Sequence, residues 1–459
     1  MKLNKIIKYY EKYVNPITAK ASSLFSHSKD IFLKGKGVYI FTDKKKKILD
    51  ITGGIGVLNL GHNHPKILEE RIKFQKNYYL EVHKNILSRH TAKLSKKISD
   101  VLPKDLSMSV FCNSGSEANE GAMKAAYKYH NGKRKTILCS NIGFHGRLIG
   151  SSSITAGLRK KNFTPKINSK TFTHNSLSSI KKIIDNNVRE FGHSNIYAII
   201  VEPYSHIHAS ACNYNFLKGI RKLCNKNKII LIYDEVYTGW CKTGTLFYFM
   251  RHRGVCPDML TTSKSLGGGK ATIAAYVMKR EIFKKCYGNY GDYELPSTTF
   301  NGFGEECVTS IKAIEILQNK KYCKSAMNIE KITNKRFNLL SKKYPEYKMI
   351  LRGCGAIQKI YFNNFNLIRE FINHKLNNKE KKMISLVKNR ILESSILDEL
   401  YFKYKIWAFQ SISKIVVSPS LIIKSKELNY FFDSLEKILV QGSENIIKNY
   451  INRLTKWQK

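Results

Sequence analysis

Ile229-Ile230-Leu231-Ile232-Tyr233-Asp234-Glu235, followed about thirty residues later by Met259-Leu260-Thr261-Thr262-Ser263-Lys264-Ser265-Leu266-Gly267-Gly268-Gly269, decides the fold class. Each segment opens with a short apolar run and closes on a polar residue with chemistry to offer. The runs do not alternate, so they read as strands buried on both faces rather than strands with one wet side. Working outward, Ser109–Cys112, Thr136–Cys139, Tyr197–Val201 and Ala274–Met278 repeat the pattern, with helical segments between them. Such alternation implies an α/β fold built on a mostly parallel sheet covered by helices.

In open sheets of this kind, ligands bind beyond the carboxyl ends of the strands. The strand Ser109–Cys112 runs into Asn113-Ser114-Gly115-Ser116-Glu117-Ala118-Asn119-Glu120, which opens a helix. Ser114 and Glu117 have the spacing of a capping box, and Gly115 removes side-chain bulk beside the first free amides. A helix start of this kind attracts a phosphate through its unpaired N–H groups and its dipole, although the same pattern also serves as an ordinary cap. Asp234 closes its strand either as a helix cap or as a charge facing a ligand. Lys264 differs from the many surface cations because an apolar strand precedes it and three glycines follow it, where backbone can approach a ligand closely. An imine-forming lysine, a carboxylate for a pyridine nitrogen and a phosphate cup are together the parts of a pyridoxal-phosphate enzyme.

Length and composition agree with a globular enzyme. A chain of 459 residues exceeds what one core organises, so two domains are expected. We expect residues 1–75 to contribute to a small domain, 76–315 to form the large cofactor-binding domain, and 316–459 to complete the small one. No apolar run reaches membrane-spanning length, and the basic start, Met1 to Val14, reads as a docking helix rather than a signal. The ten cysteines include no CxxC pair, which argues against a zinc ribbon and fits thiols kept reduced in a cytoplasm. The net charge of +45 is spread from end to end and not gathered beside aromatics, so it reads as composition; no specific nucleic-acid partner is expected.

The ordered motifs resemble those of the class III (omega-type) aminotransferases. Leu60 to Pro65 matches LGHxHP, Gly115 to Glu120 matches GSEANE, and Phe144-His145-Gly146-Arg147 matches FHGR. Val201-Glu202-Pro203, Asp234 to Gly239, the run starting at Lys264, and Ser297 to Phe300 follow in the family's order, and the likeness extends from about Val38 to about Ile423. The resemblance implies the type I fold of pyridoxal-phosphate enzymes, with a small α+β domain formed by both termini. It implies that Lys264 binds pyridoxal 5'-phosphate covalently and shuttles the proton, while Asp234 keeps the ring nitrogen protonated. It places Gly115 and Ser116 on the phosphate, Phe144 and Val236 on the two ring faces, and Tyr237 near the ring hydroxyl. Thr299 would reach in from the second subunit of a homodimer, and Arg147 would fork a substrate carboxylate. The implied reaction moves an amino group between an amine or amino acid and a 2-oxo acid, with an omega-amine of the acetylornithine, ornithine, 4-aminobutyrate or diamine type as donor. An aminomutase, racemase or lyase on the same fold, or a non-catalytic basic binding protein, are the alternatives.

Several positions depart from the family. Ser205 replaces a glutamine, and His206-Ile207-His208-Ala209 replaces GEGG. Tyr237 stands where DEVQTG has glutamine, and Gly302-Phe303-Gly304 replaces the GNP after STTF. Ile273-Ala274-Ala275 stands where Pro-Gly-Ala follows the glycine run. Val416 falls on the arginine that holds a glutamate donor, and Ile207 on its gating glutamate; losing both avoids an unpaired charge. Lys414 is a candidate stand-in. His206 and His208 alternate as on a strand, but with no third ligand in view no metal is expected.

Overall fold

A computed structural model describes all residues except 159, 160, 162, 364–369, 371, 386, 411–413 and 459. The chain divides into two compact units, one formed by Met1–Ile55 with Met327–Lys459 and the other by Gly56–Ala326.

The second unit is organised by a seven-stranded sheet. Its strands are β1 (Leu106–Cys112), β2 (Thr136–Ser140), β3 (Ser169–Phe172), β4 (Ile196–Val201), β5 (Ile230–Asp234), β6 (Met259–Thr262) and β7 (Ala274–Lys279). Their spatial order is β1-β7-β6-β5-β4-β2-β3. The pairs β6–β5, β5–β4, β4–β2 and β2–β3 are parallel, whereas β7 runs antiparallel to both β6 and β1. Since β7 reverses twice, β1 points the same way as β6. The carboxyl ends of β1, β2, β4, β5 and β6 therefore share one edge, joined there by the start of β7.

Continuous burial explains the continuous apolar runs. All six residues of β4 and all five of β5 are buried, as doubly covered parallel strands require. Ala122, Ala125 and Ala126 of the helix Gly115–Tyr129 pack on Val110, Ile137, Ile200 and Ile232. Small residues are needed on that helix: a Cβ at Gly121 would lie 2.3 Å from the ring of Tyr276 on β7.

The first unit carries two four-stranded sheets. Phe32–Lys36, Tyr39–Thr42 and Lys47–Asp50 form antiparallel neighbours, completed by Ile406–Trp407 in parallel with the last. A lysine-rich turn joins the second and third of these strands. The other sheet has the order Met349–Cys354, Ile357–Phe362, Lys414–Val417, Phe409–Gln410. Arg352 to Cys354 close the first of these strands, and Gly355, with φ +56°, turns the chain into the next. The basic start is helical at Leu3–Tyr9 and continues as a wider turn to Val14, but it buries no residue within the chain. Among the described residues no helix is long and apolar enough to cross a membrane.

Candidate active site

The shared strand edge of the Gly56–Ala326 unit opens into a cavity of about 410 Å³. Most of its wall comes from strand ends. Asn113 to Ser116 follow β1, Phe144 to Arg147 follow β2, Glu202 follows β4, Asp234 ends β5, Lys264 follows β6, and Thr272 and Ile273 precede β7.

Asp234 is the best supported of these groups. It is 4% exposed, and its Oδ2 sits 2.8 Å from both His145 Nδ1 and Asn119 Nδ2, while its Oδ1 accepts from the Val236 amide at 3.1 Å. Burial alone would raise its pKa, but the His145 contact, the Val236 amide and Asn119 together hold it below the usual carboxylate value. Asn119 is itself fixed, donating to the His145 carbonyl at 2.8 Å and accepting from Thr261 Oγ1 at 2.7 Å. A negative charge is thus kept ionised inside the protein.

Lys264 begins a single 3-10 turn with φ +48°, a left-handed conformation that a lysine rarely adopts. Burial pushes its amine below the ordinary lysine value; Asp234 and Glu202 pull it back up, and Arg147 lowers it further. Its Nζ lies 5.1 Å from the centre of the Tyr237 ring.

The helix Gly115–Tyr129 presents its first turn to the same cavity. Ser114 Oγ accepts from the Glu117 amide at 3.3 Å, as a capping box requires, but Glu117 reaches back to the Asn113 amide at 3.0 Å rather than to that of Ser114. Two glycines permit the close packing around this turn. A Cβ at Gly115 would lie 2.6 Å from Val236, and one at Gly146 would lie 2.3 Å from Ser116 Oγ.

Of the residues singled out in the sequence, Lys264, Asp234, Gly115, Ser116, Phe144, Val236, Tyr237 and Arg147 all line this cavity. Thr299 does not; it lies exposed on a turn of the 290–304 stretch. Arg147 is exposed at the mouth, its guanidinium carbon 5.3 Å from the Phe144 ring centre. His206 and His208 are not on a strand: residues 206–209 form the turn between the short strands Tyr204–Ser205 and Ser210–Ala211. Among the described residues no group of three or more His, Cys, Asp or Glu could hold a metal. In the first unit, Val416 is buried in its strand, and the Lys414 ammonium lies 5.2 Å from the Tyr361 ring centre, with burial pushing its amine below the ordinary value.

Three site-building residues escaped the sequence reading as such: His145, Asn119 and Glu202. A signal existed for two of them. A carboxylate ending a buried strand must find donors, and Asn119 is a polar residue on a helix face otherwise made of alanine and glycine. Glu202, 4% exposed, accepts from the Phe144 amide at 2.9 Å and contacts His206 Nδ1 at 2.6 Å, a pairing invisible without the fold.

Comparison with known proteins gives the family and the fold. The family model for class III aminotransferases matches residues 25–439. The chain is 33% identical over 353 residues to the acetylornithine aminotransferase of Methanocaldococcus jannaschii, covering 74% of this chain and 83% of that one. It is 29% identical over 420 residues to the acetylornithine/succinyldiaminopimelate aminotransferase of Buchnera aphidicola, covering 89% and 92%. Among solved structures, adenosylmethionine-8-amino-7-oxononanoate aminotransferase from Methanocaldococcus jannaschii superposes with a TM-score of 0.79 at 22% identity, covering 98% of this chain and 99% of that one. Ornithine aminotransferase from Toxoplasma gondii gives 0.76 at 19% identity, covering 95% and 94%. These likenesses show the same fold.

Proposed function

The chain belongs to the class III aminotransferases, and from that membership we propose that it moves an amino group between an omega-amine and a 2-oxo acid, with Lys264 holding pyridoxal 5'-phosphate. It is a pyridoxal-phosphate-dependent transaminase of the type I fold. The observation that carries the residue assignment is the convergence of a desolvated amine, Lys264, and a buried carboxylate kept ionised, Asp234, in one cavity.

The residues present suit the cofactor. A buried carboxylate held below its usual pKa matches a cationic pyridine nitrogen, an amine of lowered proton affinity matches an aldehyde, and a glycine-lined helix start matches a phosphate. When bound, pyridoxal phosphate supplies the aldehyde that condenses with amines and the ring that accepts their electron pair. Asp234 would hold the proton on the ring nitrogen, with His145 and Asn119 fixing the carboxylate. Gly115 and Ser116 would bind the phosphate through backbone and hydroxyl. Phe144 and Val236 would pack on the ring faces and keep water out. Lys264, once released by the incoming amine, would carry the proton between donor carbon and cofactor carbon. Tyr237 would donate to the ring hydroxyl in place of the family's glutamine, and Arg147 would grip a substrate carboxylate. We take the Gly56–Ala326 unit as the cofactor-binding domain.

We further propose a homodimer in which Thr299 completes the partner's phosphate site. Residues 78–87 and 290–304 lie side by side, tied by Lys84 Nζ to Ser297 Oγ at 2.8 Å and by the Gly304 amide to the Glu81 carbonyl at 3.0 Å. Tyr78 is 94% exposed, Leu87 103% and Tyr290 92%, large side chains that a second copy could cover. None of the ten cysteines is in a disulfide, which supports a reducing compartment such as the cytoplasm.

The test is a panel of amines added singly to cofactor-loaded protein, with and without 2-oxo acids. Transamination bleaches the visible absorbance and gives the amino product only when an oxo acid follows. Carbonyl product formed catalytically without an acceptor would instead mark a lyase.

A further inference from the structure

His206 stands where the family has glycine, so its imidazole is an addition to the active-site wall. That ring is held from two sides. Its Nδ1 lies 2.6 Å from Glu202 Oε2, and its backbone N–H donates to the same oxygen at 3.3 Å. The contact makes Nδ1 the protonated nitrogen, because a carboxylate only accepts. With the ring orientation thus set, its face is presented to Tyr237: the centroids are 4.3 Å apart and the planes differ by 13°. Phe144 meets the imidazole edge-on at 5.7 Å and 85°, and the Phe144 amide is bound by the other oxygen of Glu202 at 2.9 Å. A single buried carboxylate therefore fastens both the residue that would cover the cofactor ring and the residue stacked on the phenol.

Tyr237 cannot slide away from this stack. It is 7% exposed, and a Cβ at Gly56 would lie 3.0 Å from its ring carbons Cε2 and Cζ, closer than an ordinary van der Waals contact, so little space is left beside it. Gly56 itself has φ +84°. The phenol is wedged between imidazole and glycine backbone, with the Lys264 amine near its ring.

We propose that His206 is a positioning residue: anchored by Glu202, it holds the Tyr237 phenol in register with the ring hydroxyl of the cofactor carried by Lys264. The histidine and tyrosine departures are then one coupled change, in which a bulky donor replaces glutamine and an aromatic prop replaces glycine. The inference rests on the cofactor assignment above and extends it to a residue the family pattern leaves without a side chain.

The experiment is a double-mutant cycle on cofactor-loaded protein: wild type, His206→Ala, Tyr237→Phe and the pair. Two quantities are read, the dissociation constant for pyridoxal phosphate and the pH midpoint of its protein-bound visible absorbance. Each single variant should weaken cofactor binding on the order of fivefold, the scale of one lost aromatic contact for His206→Ala and of one lost hydrogen bond for Tyr237→Phe, and should shift the midpoint. The double variant should match Tyr237→Phe alone, because a prop without its hydroxyl to place has nothing left to do. His206→Asn keeps a donor for Glu202 but no ring; it should behave like His206→Ala and replaces it in the cycle if the alanine variant fails to fold. Effects that simply multiply in the double variant, or full wild-type behaviour in His206→Asn, would overturn the proposal while leaving the cofactor assignment intact. A wild-type protein that takes up no pyridoxal phosphate would overturn both.

Discussion

Replacing Asn119 dissects the support under Asp234. Asn119→Ala removes a donor to the buried carboxylate at 2.8 Å, a donor to the His145 carbonyl at 2.8 Å and the acceptor for Thr261 Oγ1 at 2.7 Å. A hydrogen bond to a charged group contributes about 1.5–3 kcal/mol and a neutral one about 0.5–1.5, so losing one of the first kind and two of the second should cost roughly 2.5–6 kcal/mol. Asn119→Asp asks a sharper question, since it sets a second carboxyl against Asp234. Two carboxyls that close share a proton, which raises the pKa of the pair above the unfolded value. A raised folded value stabilises at low pH and is lost as pH rises through it, so the aspartate variant should lose more stability at pH 8 than at pH 5. The alanine variant should show nearly the same deficit at both. Urea denaturation of the cofactor-free protein, followed by tryptophan fluorescence, measures both; Trp240, 1% exposed, is a buried reporter bonded to Thr262 Oγ1 at 2.8 Å. A cost under about 1 kcal/mol for Asn119→Ala, or a pH-independent deficit for Asn119→Asp, would refute the idea that Asn119 holds the carboxylate.

Two further outcomes follow from the same geometry. Gly146→Ala forces a methyl to 2.3 Å from Ser116 Oγ and 2.8 Å from Ser151 Oγ, at a residue with φ +129°; pyridoxal phosphate affinity should fall about tenfold or more, as read by equilibrium dialysis. Burial pushes Glu235 up to about 7 although Thr238, Phe249 and Tyr248 donate to it. Its folded value lies above the unfolded one, so its contribution is full below about pH 4.5 and is lost as pH rises through 7, by roughly 3 kcal/mol in all. Glu235→Gln should flatten that decline in urea midpoints between pH 5 and 7, and an unchanged slope would contradict it.

Much of this site is legible in the sequence because strand and chemistry coincide. Ile230–Asp234 and Met259–Thr262 are apolar runs that lie fully buried and end at or beside the reactive residue, so position along the chain translates into position on the sheet edge. What lies across the chain is hidden. The link from Thr261 through Asn119 to Asp234 joins a strand, a helix and another strand, and no local pattern encodes it. The turn at 206–209 shows a different limit: four residues with alternate histidines look like a strand because a period of two over so short a span has no competitor. The exposed start, Met1 to Val14, has a helical pattern that the chain alone gives nothing to pack against.

Borohydride reduction of the cofactor-loaded protein, followed by digestion and mass spectrometry, tests the central claim most directly. Reduction turns the imine into a stable amine, so the lysine that held the cofactor keeps it through proteolysis. The phosphopyridoxyl group should be found on Lys264, and the Lys264→Ala variant should carry neither that label nor the visible absorbance. A label spread over other lysines of this basic chain, or unchanged absorbance and turnover in Lys264→Ala, would contradict the account.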